Sequence, residues 1–185
     1  MKTNMEKLAV SQNKAGWLNA VYIVLGSLFI ALSAQIAVPL TPVPMTMQVY
    51  AVLLVGGLLG GKRGFASVML YLAEGVCGLP VFAGGAGGLG MLCSARGGYL
   101  IGTPVAAYLV GCMTATWHKE SFFKHLISGL SGLMAIYIPG VMFVAVALNN
   151  FWQAFVVGLF PFLVSDMLKI LLFAGSMSIS KRWRK

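Results

Sequence analysis

Acidic side chains are almost missing from this chain: four Asp and Glu stand among 185 residues, and charged residues of either sign amount to 9%, where soluble domains carry about 25%. That scarcity excludes an ordinary soluble domain. It also leaves no paired carboxylates for acid–base work, and with two histidines no Ser/His/Asp set suggests an enzyme. His118 and His125, at the ends of a basic linker, read as solvated interfacial groups. Cysteine is sparse as well. Cys77, Cys93 and Cys112 are odd in number and form no CxxC pair, which argues against a disulfide framework or zinc site and for small residues packed between helices. A nucleotide loop is lacking too: Gly56, Gly61 and Lys62 match G-x-x-x-x-G-K, but Arg63 stands where magnesium binding needs Ser or Thr.

What the chain has is apolar length. Hydrophobic residues make up 59%, and the charges are bunched: Glu74 and Arg96 alone separate Arg63 from Lys119, and Asp166 and Lys169 alone separate Lys124 from Lys181. Such intervals predict bilayer spans with short connections. Residues 17–38 would reach about 33 Å at about 1.5 Å per residue, too long for the core of a cleaved signal peptide and long enough to span. After the turn-forming Pro39-Leu-Thr-Pro-Val-Pro44 come two shorter runs, 45–61 and 65–79, separated by Lys62-Arg63-Gly64. A re-entrant hairpin would bury that basic pair, so two short spans are expected. The glycine-rich stretch 80–98 cannot hold a lipid-exposed helix and must sit in water or pack inside protein. Spans at 98–117 and 125–148 follow. Pro161 interrupts the remainder, which predicts a short helix on the outer interface, with Phe151, Trp152, Phe155 and Phe160 in its apolar stripe, and a last span from about Pro161. The expected fold is therefore an all-α integral membrane protein of six transmembrane helices, with a short outer interfacial helix before the sixth. Residues 1–185 form a single transmembrane domain, with 1–16 a cytoplasmic N-terminal segment and 181–185 a basic cytoplasmic tail.

The net charge of +9 comes from residues in short linkers and the two ends, with no continuous basic face for nucleic acid. It is a topology signal. With the N-terminus inside, eleven of the thirteen basic residues face the cytoplasm and only Arg96 faces out, which predicts a multi-pass cell-membrane protein with both termini cytoplasmic. Inside the last span Asp166 and Lys169, three apart, share one helix face near its outer end. Charged groups in a span pair with each other or mark a ligand path. Glu74 has three possible fates: a partner for Lys169, a partner for Arg96, or the outer interface.

Four segments in order carry a resemblance: Thr-Pro-Val-Pro-Met-Thr-Met-Gln at 41–48, Gly-Leu-Pro-Val-Phe-Ala-Gly-Gly at 78–85, Gly-Gly-Tyr-Leu-Ile-Gly at 97–102, and Pro-Phe-Leu-Val-Ser-Asp-Met-Leu-Lys at 161–169. Together they resemble the BioY family, the biotin-specific S components of energy-coupling-factor transporters. The resemblance implies a six-helix subunit that binds biotin from outside, uses no cofactor, and works with a transmembrane coupling protein and two cytoplasmic ATPases. It implies ligand-binding roles for Asp166, Lys169, Gly97, Gly98 and Tyr99. It also implies that the first helix presents small residues to the coupling protein, for which Ser27/Ala31 and Ser33/Ala37 have suitable spacing. One departure stands out: Ala95-Arg96 occupies the place where the family commonly reads Pro-Thr.

The chemistry of biotin matches these residues. Its ureido ring offers two N–H donors and a carbonyl, complementary to a carboxylate at Asp166 and an ammonium at Lys169. Phe82, Tyr99 and Gln48 would enclose the sulfur ring, and Arg96 would meet the valerate carboxylate unless it only solvates its loop or pairs with Glu74. Three other readings stay open: an S component for another small vitamin, an intramembrane enzyme using Asp166, and a structural membrane subunit.

Overall fold

A computed structural model describes residues 2–40, 43–116 and 121–182, without the side chains of 2–15 and 181–182. Thr41 and Pro42 of the proline-rich run, His118 and Lys119 of the basic linker, the side chains of Lys2, Lys7 and Lys14, and the charged groups of the tail from Lys181 on lie outside the described residues.

Among the described residues seven α-helices form the bundle: α1 Lys2–Gln35, α2 Gln48–Leu59, α3 Gly61–Val76, α4 Gly97–Thr116, α5 Phe122–Leu148, α6 Phe151–Gly158 and α7 Phe160–Arg182. Four helical stretches among the described residues are long and apolar enough to cross a membrane: Gly16–Gln35, Gly97–Thr116, Phe122–Leu148 and Phe160–Ser180. The 12 residues of α2 and 16 of α3 reach only about 18 and 24 Å.

Several boundaries differ from the sequence expectation, each for a local reason. The first helix begins at Lys2, not Trp17, and ends at Gln35, because Pro39 biases the residue before it to extended backbone. Ala37–Val38 (β1) then pairs antiparallel with Met45–Thr46 (β2), so α2 starts three residues later than the apolar run does. The break between α2 and α3 falls at Gly60, whose φ of 84° suits glycine, and Lys62 and Arg63 lie in the first turn of α3 rather than in the connection. Pro161 stands in the first turn of α7, where its missing N–H has no helical partner to lose. Side-chain expectations change as well. Cys77 and Cys93 are exposed in loops rather than packed between helices. His125 is buried on α5, not solvated. Ser27, Ala31 and Ser33 are buried, and Ser27 donates to Glu74 Oε2 of α3 at 2.6 Å, so they are not open to a coupling protein.

In the middle of the bundle α4 packs against α2, α3 and α5, while α7 closes on α2 and α5, and α1 lies along α3. Glycine makes the central contacts possible. A Cβ at Gly56 would stand 2.5 Å from the Ala107 carbonyl oxygen, and one at Gly111 would strike the backbone of Gly60 and Gly61. Prolines within the helices are compensated. Pro104 leaves the Leu100 carbonyl without its helical donor, and the Thr103 hydroxyl donates to it at 2.6 Å.

Gly111→Ala should cost about 1–3 kcal/mol by overpacking and lower the thermal unfolding midpoint in detergent. Gly175→Ala, where an added Cβ meets nothing within 4 Å, should leave it unchanged or raise it. Equal midpoints would show that α4 is not held at backbone contact.

Candidate functional site

The stretches at 36–40, 43–47 and 77–96 and the α5–α6 turn gather at the end of the bundle opposite the Gly60 turn. There a cleft opens between the start of α2, the glycine-rich loop, α4, α5 and α7, with about 660 Å³ of space free of protein atoms, mouth included. Its walls are mainly apolar: Val43 and Val49 on one side, Leu100 and Ile136 on another, with Phe82, Tyr99 and Phe162 as the aromatic surfaces.

Asp166 and Lys169, one helical turn apart on α7, both face this cleft and are both buried. Lys169 Nζ donates to Asp166 Oδ1 at 2.6 Å, and the Tyr137 hydroxyl of α5 donates to Oδ2 at 2.6 Å. A carboxylate accepts about four hydrogen bonds and an ammonium donates three. The pair therefore keeps unused acceptor and donor capacity toward the cleft while neutralising itself. Two charges out of water persist only with such mutual support.

Of the residues expected from the sequence, Gln48, Phe82, Arg96, Tyr99, Asp166 and Lys169 all line the cleft. Gln48 is buried at the start of α2, and its side-chain amide has no hydrogen-bond partner among the described residues. Arg96 is half-buried at the foot of α4. The Tyr99 ring fits where Gly140 of α5 and Gly158 of α6 leave room, and its hydroxyl donates to the Gly158 carbonyl at 2.6 Å. This bond ties α4 to the α6–α7 junction and leaves the ring face as the wall. Edge contacts at 6.4 Å to Tyr137 and tilted contacts at 6.4 Å to Phe162 continue the aromatic surface.

Gly97 and Gly98 stand behind the wall rather than on it. A Cβ on Gly97 would strike the Leu92 carbonyl, and one on Gly98 would strike that of Pro139. Their part is to bring α4 against its neighbours. Glu74 is likewise outside the cleft and takes its hydrogen bond from Ser27, not from Lys169. Sequence reading missed Tyr137, Thr103, Ile136 and Phe162, all of them wall residues. Only Tyr137 carried a usable signal, because a tyrosine inside an apolar helix needs a partner for its hydroxyl.

Comparison with known proteins adds independent findings. The sequence model of the BioY family matches residues 4–185. A Pyrococcus horikoshii protein named probable biotin transporter BioY is 40% identical over 146 residues, covering 77% of this chain and 85% of that one. The biotin transporter BioY of Thermotoga maritima is 39% identical over 145 residues, 78% and 85% of the two chains. Among solved structures, the S-component for biotin from an ECF-type ABC transporter superposes with a TM-score of 0.82 at 26% identity, over 92% of this chain and 94% of that one.

Removing one partner of a buried ion pair costs about 3–5 kcal/mol, whereas replacing both by apolar residues is often neutral. Lys169→Met should therefore lower the unfolding midpoint clearly, and adding Asp166→Leu should restore most of it. A single variant as stable as the wild type would mean that water already reaches the carboxylate.

Proposed function

The chain belongs to the BioY family, and on that premise we propose that it captures biotin from outside the cell as the substrate-binding membrane subunit of an energy-coupling-factor transporter. The observation that carries this reading is the Asp166–Lys169–Tyr137 cluster in an otherwise apolar cleft. The ureido N–H groups of biotin need an acceptor, which the free lone pairs of Asp166 supply, and its ureido carbonyl needs a donor, which Lys169 supplies. Phe82, Tyr99 and Phe162 offer apolar faces to the fused rings, and Gln48 holds an amide ready for a polar edge. Arg96 takes the valerate carboxylate, for which a guanidinium can make two parallel hydrogen bonds.

In the membrane, α1, α4, α5 and α7 span, and α2 and α3 cross as two short helices hinged at Gly60, giving six spans. The helix α6 lies at the outer interface: Phe151 and Trp152 are 63% and 75% exposed while Ala154 and Gly158 face the bundle. Both termini are cytoplasmic, which the basic residues support, and the cleft then opens outward. Energy comes from partners. Because Arg63 spoils the one phosphate-loop lookalike, a membrane coupling protein and cytoplasmic ATPases supply hydrolysis, and the chain is a transport subunit rather than an enzyme.

Native mass spectrometry and calorimetry on the purified chain should detect bound biotin. Asp166→Asn and Lys169→Ala should each weaken it by about thirtyfold to several thousandfold, the effect of cutting a desolvated charged contact. The double apolar variant should fold and bind none. Arg96→Ala should weaken biotin by about tenfold or more while scarcely changing neutral biotin amide. Another vitamin in the spectrum, or normal binding by both single variants, would overturn the reading.

Sidedness has its own measurement. In a cysteine-free background, Lys62→Cys should resist an impermeant thiol reagent in intact cells, and Gly90→Cys, in the exposed loop beside the cleft, should react. Outside labelling at position 62 would reverse the topology.

A further inference from the structure

We propose that Gln35, the last residue of α1, is a positioning residue that holds the glycine-rich loop against the ligand cleft and thereby sets how long bound ligand stays. The proposal rests on the biotin reading above for its ligand and on separate observations for its mechanism.

The Gln35 side chain is exposed and lies outside the cleft wall, yet both ends of its amide are engaged by one loop. Nε2 shares its two N–H groups among the carbonyls of Val81 and Phe82 at 3.1 and 3.2 Å and that of Ala31 in its own helix at 3.3 Å, and Oε1 accepts from the Gly85 N–H at 3.1 Å. A glutamine amide is one of few side chains that can donate and accept at once along a backbone. The loop needs such help. It is a tight turn with Phe82 N–H donating to the Ala86 carbonyl at 3.0 Å, and Gly84 and Gly85 both at positive φ. Glycines lose the most freedom when ordered, so this turn closes at an entropic cost that local bonds must offset.

What the turn positions is Phe82. Its ring is buried, stacks edge-on against Tyr71 at 5.5 Å, fills the space left by Gly75, and forms one aromatic wall of the cleft. Gln35 grips the backbone carbonyl of that same residue. One residue further on, the Ile36 carbonyl accepts from Met47 N–H at 3.0 Å, immediately before Gln48, which also lines the cleft. The end of α1 therefore braces two walls at once. Displacing it would loosen both.

The test compares the wild type with Gln35→Leu, which keeps an apolar stem one bond shorter and removes both hydrogen-bonding ends, and with Gln35→Glu, which keeps an acceptor for Gly85 but turns a carboxylate toward two carbonyls. Release of radiolabelled biotin from the purified full chain should quicken roughly tenfold in both, the equivalent of about one to two net hydrogen bonds. Association should change by no more than about twofold, since pre-formed contacts govern departure more than arrival. In ligand-free protein with native cysteines removed, an Ala83→Cys thiol should label several-fold faster when Gln35→Leu is added. Unchanged release and unchanged labelling would overturn the proposal. If the wild type binds no biotin, the reading of the site fails, and the labelling rates still decide whether Gln35 holds the loop.

Discussion

A carboxylate and an ammonium held at membrane depth, one turn apart on α7, set terms that much of this structure meets. Each would be expensive alone in a low-dielectric interior, and each is tolerated because the other lies at 2.6 Å and Tyr137 donates to the second carboxylate oxygen. The pairing fixes the rotation of α7 against α5, since the hydroxyl that reaches Asp166 comes from α5. It also leaves hydrogen-bonding capacity on two groups that line the cleft. A paired charge thus lines a cleft where the membrane interior would otherwise admit none.

Backbone closeness is the second constraint. Gly98 and Gly102 lie against the Pro139 and Ala135 carbonyls, and Pro139 is the residue that frees the Ala135 carbonyl from its helical donor. The two helices that carry Tyr99 and Tyr137 are therefore near enough for these rings to meet edge to face. Small residues drive association where lipid offers no hydrophobic contrast. Here they also decide the width of the cleft. The glycine-rich loop then adds the Phe82 wall, anchored from α1 by Gln35, so the site draws on elements from the whole length of the chain.

The charge distribution and the apolar runs were legible in the sequence because they report composition over twenty residues at a time. Four long spanning stretches, the short helix before Pro161 and the inward-facing Asp166 and Lys169 follow from that reading. Boundaries were less legible. The β1–β2 pairing shortens two apolar runs at once, and no local preference of Ala37 or Met45 signals a partner nine or seven residues away. The Lys62-Arg63 pair suggested a connection, but the backbone turns at Gly60, where positive φ is needed.

Residue types, their order and their spacing determined that this protein lives in a membrane and that Asp166 and Lys169 share a face, since helical periodicity places residues three apart on one side whatever surrounds them. Tertiary packing alone decided what meets them. Tyr137 reaches Asp166 across 29 positions and Ser27 reaches Glu74 across 47, while Gln35 reaches the Phe82 carbonyl across 47. Whether a small residue such as Ser27 faces a partner or the bundle interior depends on how α1 is rotated against α3, a quantity set by all the contacts of both helices together and written in neither one alone.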